Sequence, residues 1–276
     1  MATGNARRAA FRNLHAGGCF VIPNPWNTGT AKYLRHLGFQ ALATTSAGFA
    51  FARGLPDGTV SMAEMLAHIS EIVDATDLPV NADFGSGFAD VPEHVARNVS
   101  ACLATGVAGL SIEDATGDES RPLYEFALAI DRIQAARSAI EESGTGVLLT
   151  ARAECYLVNH PDAFAESIRR LRAYADAGAD VLYAPGVSKR DEMKEIVSAV
   201  APKPVNILMG SDLGLRVSDL AAMGVRRISV GSSLARSAWT RFASAAKEIA
   251  ERGSFGGFNG LTPFAELNAF FKAAAN

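Results

Sequence analysis

No stretch of this 276-residue chain comes near the ~20 consecutive apolar residues needed to cross a bilayer, which argues against a membrane-spanning protein. The opening residues, Met1 to Arg12, are basic and lack the apolar core of a signal peptide, so they read as the start of an amphipathic helix. Charge of one sign is missing too: 26 basic against 29 acidic side chains leave a net −3, without the basic excess of a nucleic-acid binder. Cysteine is scarce. Cys19, Cys102 and Cys155 have no metal-ligand spacing, and an odd, sparse count suits a reducing cytoplasm. No glycine-rich dinucleotide fingerprint follows the first apolar run, so redox cofactor chemistry is not indicated.

What the chain does have is eight short apolar runs, nearly all ending in a polar or charged residue. They are residues 19–24, 41–46, 79–83, 109–114, 147–152, 181–185, 204–209 and 227–232. Segments with helical spacing of apolar residues lie between them. That alternation predicts a (βα)8 TIM barrel, one domain over residues 1–276. A helix over 5–16 could cap the barrel floor. Ser61 with Glu64 three positions on matches a capping box, and residues 46–58 read as a long loop. Residues 253–276 form an extension whose Phe255, Phe258, Phe264, Phe270 and Phe271 need a surface to bury them, either this barrel or a neighbouring subunit.

In such a barrel the C-terminal strand ends share the rim where active sites are built. Asn24, Ser46, Asp83, Glu113, Arg152, Asn206 and Ser232, far apart in sequence, would converge there. Asp83 and Glu113 close adjacent strands, near enough to share one hard dication such as Mg²⁺, or else they form buried ion pairs. Asp114, just beyond, reads as a helix cap. Arg152 ends a buried strand, where an unpaired charge is costly, so it pairs with Glu154, grips a carboxylate substrate, or does both. Thr45, Ser46, Ala47 and Gly48 could form an anion nest, and Trp26 is a pocket wall or core filler. None of the five histidines ends a strand, and no lysine does. A multi-histidine zinc site and a Schiff-base aldolase are thereby excluded.

These residues resemble the isocitrate lyase / phosphoenolpyruvate mutase superfamily over about residues 12–241. Pro23-Asn24-Pro25-Trp26-Asn27 is similar to its N-A-W-D opening, and Thr45-Ser46-Ala47-Gly48 with Asp57 to its substrate loop and following aspartate. Asn81-Ala82-Asp83-Phe84-Gly85-Ser86-Gly87 resembles its D-A-D-x-G-x-G metal strand, Ile112-Glu113-Asp114 its I-E-D, and Ala151-Arg152-Ala153-Glu154 its A-R-x-E. The resemblance implies a barrel whose last helix swaps between subunits, giving dimers or tetramers. It implies Mg²⁺ or Mn²⁺ held near Asp57, Asp83 and Glu113, with Asn81 in place of the family's first metal-strand aspartate. It also implies substrate contacts from Ser46, Ala47, Gly48 and Arg152, and chemistry on 2-oxo or 2-hydroxy carboxylates through enolate-like intermediates. The family's K-K/R-C-G-H lyase loop is absent: residues 115–122 read Ala-Thr-Gly-Asp-Glu-Ser-Arg-Pro. The mutase loop residues are absent as well. The expected activity is therefore a Mg²⁺-dependent carbon–carbon lyase of the oxaloacetate decarboxylase type. The alternatives are P–C bond chemistry, with Arg121 meeting a phosphonate, and a barrel that binds 2-oxo acids without turnover.

Overall fold

The computed structural model describes residues 3–274, so the outermost residues of the expected domain and extension lie outside it. Among the described residues there are eight parallel strands: β1 (Phe20–Ile22), β2 (Leu42–Ala43), β3 (Val80–Asp83), β4 (Gly109–Glu113), β5 (Leu148–Arg152), β6 (Val181–Tyr183), β7 (Val205–Leu208) and β8 (Arg227–Ser229). Each falls within one of the eight apolar runs. Neighbours pair in sequence order, and β8 returns to pair with β1. Between β1 and β2 the Ala43 N–H donates to the Pro23 carbonyl at 3.0 Å, which brings the last gap together. The architecture is the expected (βα)8 barrel.

Helix α1 (Gly4–Ala16) precedes the barrel. Then α2 (Thr28–His36) follows β1, α3 (Ser46–Ala52) and α4 (Met62–Ala75) follow β2, and α5 (Pro92–Leu103) follows β3. Around the rest come α6 (Phe126–Glu142), α7 (Ala163–Asp176), α8 (Arg190–Ala199), α9 (Val217–Ala222), α10 (Ser233–Arg252) and, in the extension, α11 (Phe264–Ala273). The capping box at Ser61 and Glu64 is present and opens α4. Residues 46–58 are not a loop throughout. Thr45 accepts the Gly48 N–H on its hydroxyl and nucleates α3 directly at the end of β2. No helix is long and apolar enough to cross a membrane.

The apolar core lies between strands and helices, as alternation and helical periodicity require. Helix α1 closes the N-terminal end. Phe11 is fully buried against Phe20, and Arg7 donates from its two terminal nitrogens to the carbonyls of Val73 and Thr76. With that end plugged, the interior is open toward the C-terminal rim.

Candidate active site

Strand β5 delivers Arg152 to the rim, and register places Glu113 directly beside it on β4. The guanidinium is shared among three carboxylates. Nη1 donates to Asp83 Oδ1 at 2.7 Å, Nη2 lies 3.0 Å from Glu113 Oε2, and Nε donates to Glu154 Oε1 at 2.7 Å. Burial alone would lower the Arg152 pKa, but these acids more than reverse it and hold it well above the ordinary value. The same burial raises the carboxyls of Glu113 and Glu154, opposed by Arg152 and reinforced by the neighbouring acids. The cluster is braced from both sides. Ser46 donates its N–H and hydroxyl to Asp83 Oδ2, both at 2.9 Å. On the other flank Asp114 accepts the Glu154 N–H at 2.8 Å.

Asp114 is therefore no helix cap. It is buried, and its second oxygen takes Arg170 Nη1 at 3.0 Å and the Tyr174 hydroxyl at 2.6 Å. A carboxylate beside a guanidinium on the helix that follows β5 satisfies itself better across the interface than at a helix end. The result ties β4 to α7 and sets the position of Glu154.

Two cavities meet at this cluster. A central one of about 180 Å³ descends the barrel axis past Asp57, Asp83, Arg152 and Tyr183 to Asn206 and Arg227. A lateral one of about 350 Å³ runs beneath the loop after β4 and is lined by Glu113, Glu154 and Thr116. Asp57, Ser46 and Arg152 face both. Asp57 stands at the exposed mouth, its carboxyl raised by partial desolvation and then by the charge of Asp83.

Of the residues singled out in the sequence, Asn24, Thr45, Ser46, Ala47, Asp57, Asn81, Asp83, Arg152, Asn206 and Ser232 line the central cavity. Glu113 opens on the lateral one. Trp26 reaches neither. It turns outward after β1 into a groove with Ala52, Trp239 and Phe242. Gly48 is buried in α3, where an added Cβ would lie 2.6 Å from Thr45 Cγ2 and 3.2 Å from the Ala235 side chain, so its smallness serves the approach of α10. The nest is not free either, because the Ser46 N–H is spent on Asp83 and the Gly48 N–H on Thr45. Arg121 is 82% exposed and pairs with Asp118, away from both cavities. Asn81 sits below Asp83 with a buried carboxamide oxygen that has no partner. Tyr183, Thr150 and Arg227 escaped the sequence reading. The available signal was the strand period of two, which puts Arg227 on the same face as Ser229.

A divalent cation can be tested against these groups. Four acids, Asp57, Asp83, Glu113 and Glu154, stand around one guanidinium, so acids outnumber the cation there, and every acidic donor is an oxygen. Both properties fit a hard dication. Among the described residues no three acidic, histidine or cysteine groups converge on one point, because Arg152 holds Asp83, Glu113 and Glu154 on separate nitrogens. Charge and donor type fit; the carboxylates are engaged by Arg152.

Comparison with known proteins gives a consistent set of matches. A family model described as phosphoenolpyruvate phosphomutase matches residues 11–250. A crystal structure from Burkholderia cenocepacia, of a protein thought to be a lyase or mutase, superimposes with a TM-score of 0.94 at 45% identity, covering 98% of this chain and 97% of that one. The 2-methylisocitrate lyase of Escherichia coli is 30% identical over 182 residues, 63% of this chain and 60% of that protein. Oxaloacetate acetylhydrolase in complex with its product oxalate superimposes with a TM-score of 0.84 at 26% identity, covering 99% of this chain and 94% of that one.

Proposed function

The chain belongs to the isocitrate lyase / phosphoenolpyruvate mutase superfamily, and from that premise we propose that it is a carbon–carbon lyase acting on a small 2-oxo or 2-hydroxy carboxylic acid, with decarboxylation of an oxaloacetate-like substrate as the first candidate reaction. The observation that carries this reading is the buried cluster of Arg152 with Asp83, Glu113 and Glu154, set at the strand ends and opening on a cavity sized for a small acid. The lyase and hydrolase named among its relatives act on acids of that kind by their names.

In this reading Asp57, Asp83 and Glu113 would hold Mg²⁺ or Mn²⁺, which would supply Lewis-acid stabilisation of negative charge at the substrate's 2-oxo group. The terminal nitrogens of Arg152, which lines the central cavity, carry N–H groups beyond the one given to Asp83, and these would take a substrate carboxylate. Ser46 holds Asp83 in place, and Glu154 fixes the plane of the guanidinium, so the clamp is oriented before substrate arrives. Decarboxylation of a 2-oxo acid needs no strong base to begin, which agrees with a cavity lined by neither histidine nor lysine. The final proton is taken from water. Homo-oligomer formation and a cytoplasmic site of action belong to the same proposal.

Phosphonate chemistry would need a cation in the loop after β4, and Arg121 there faces solvent, so carbon–carbon cleavage is preferred. The deciding experiment incubates the protein with oxaloacetate, substituted malates and phosphonopyruvate, with and without Mg²⁺, and follows pyruvate and phosphate. Pyruvate formed from a carbon acid and abolished by chelator is expected. Undiminished turnover after chelation would reject the metal scheme, phosphate release would favour P–C cleavage, and binding without product would leave a barrel that only binds.

A further inference from the structure

We infer that Arg227, at the floor of the central cavity, is a second anion subsite that receives the distal carboxylate of a dicarboxylic acid whose other end lies at Arg152. The inference rests on the reading of that cavity as a site for small acids, and it names the feature of the substrate the floor selects. Arg227 is 3% exposed, in the middle of the barrel, and no carboxylate pairs with it among the described residues. Its Nε donates to Asn206 Oδ1 at 2.9 Å and its Nη2 to Thr150 Oγ1 at 3.0 Å. Nη1 is buried and has no partner. A guanidinium in this position with only neutral acceptors is an uncompensated buried charge, which proteins avoid unless something supplies the counter-charge.

The contrast with Arg152 is what gives the floor its meaning. Three carboxylates share the upper guanidinium, while the lower is surrounded by amides and hydroxyls. Asn206 is the telling residue. It lies beside Arg227 in the strand register, and an aspartate there would neutralise the cation, whereas the amide orients it and leaves the charge unspent. Both guanidiniums line the same cavity. Tyr183 lies on the wall between them: Arg152 lies 5.4 Å from its ring centroid, and its hydroxyl accepts from Ser229, which in turn accepts from Asn206, the residue that holds the Arg227 Nε. Burial lowers the Arg227 pKa to about 10, leaving it charged at neutral pH. Beneath it His15, buried and held neutral, offers no anion.

The test is equilibrium binding by calorimetry with malate and lactate, which share a 2-hydroxy carboxylate and differ in the distal carboxylate. In the presence of Mg²⁺ the native protein is expected to prefer malate by at least ~30-fold, the scale of a desolvated charge-assisted hydrogen-bond pair. Arg227→Gln should bring that ratio to within about threefold while lactate affinity holds, and Asn206→Asp, which places an anion beside the guanidinium, should do the same with the arginine retained. Equal loss of both acids, or an unchanged ratio in both variants, would overturn the inference. If the glutamine variant does not fold, the aspartate variant and Arg227→Met carry the same comparison. Because the readout is a ratio of affinities, it is independent of turnover. Arg227-dependent selectivity without product would leave this inference standing and the lyase reading fallen, and turnover with unchanged selectivity would do the reverse.

Discussion

Arg152 shows why a single residue's chemistry is set by its neighbours. Its strand supplies position, but only the meeting of β3, β4 and β5 supplies three carboxylates to share one guanidinium. The buried histidines show the opposite case, a titratable group with nothing to stabilise its charge. His68 is 2% exposed, stacked on Phe49 with ring centroids 3.9 Å apart, and its Nε2 has no partner. Burial lowers its pKa from 6.5 to about 4. The unfolded chain therefore takes up a proton first as pH falls, and the contribution of His68, complete above pH 6.5, is lost progressively down to about pH 4. Between pH 7 and 5 that loss is on the order of 1–2 kcal/mol, and His15, lowered to about 3 by burial and then by Arg227, adds in the same direction. Denaturant melts at pH 7, 6 and 5 should show a shallower slope for His68→Phe; parallel slopes in variant and native protein would disprove the assignment. The strand-end acids and Arg152 were legible in the sequence because polar residues ending apolar runs stand out. Arg227 was not, since at the start of a run it looks like the last residue of the preceding turn.

At the scale of the element, α3 is the instructive case. Three glycines, a proline and no charge before Arg53 made residues 46–58 read as loop, yet seven residues of it are helix. The Thr45 cap and the packing of Gly48 against Thr45 and Ala235 override weak local preference. The same helix begins with Ser46, which holds Asp83, so its geometry is coupled to the rim. Gly48→Ala is therefore expected to destabilise by about 1–3 kcal/mol despite alanine's better helix propensity, because the methyl group collides with a capping side chain. A thermal melt of the variant at or above the native midpoint would show that Thr45 and α10 can move aside at no cost. Helices with a clear local signal were readable: α1, expected over 5–16, spans Gly4–Ala16, and α4 starts at the Ser61 capping box. Their pattern states which face is buried, and a short helix at a strand end has no room to show one.

For the whole molecule, the outstanding feature is exposed apolar surface on α10 and the extension that follows it. Trp239 and Phe242 on α10, with Phe255 and Phe264 beyond it, are 44%, 62%, 63% and 83% exposed, and Trp26 opens onto the same groove. Phe270 does rest on this barrel, against Tyr33 and His36 of α2. Phe271 packs on Phe270, whereas Trp239 and Phe242 meet edge to face and line the groove with Trp26, exposed apolar surface of the kind that marks a protein–protein contact. Sedimentation at micromolar concentration is expected to show a dimer or tetramer, shifted toward monomer by Trp239→Ser with Phe242→Asp; a monomeric native protein would remove the idea. By itself the sequence determined the barrel, the order of its strands and which charged groups reach the rim, because alternating apolar runs and helical periods are local properties that translate directly into buried faces. Only the tertiary structure decided that Arg152 is shared three ways, that Asp114 braces α7, that Trp26 faces outward and that a cation lies unpaired at the cavity floor. Each of those depends on which side chains from distant strands arrive in one low-dielectric space, and burial and neighbouring charge, not residue type, set their state there.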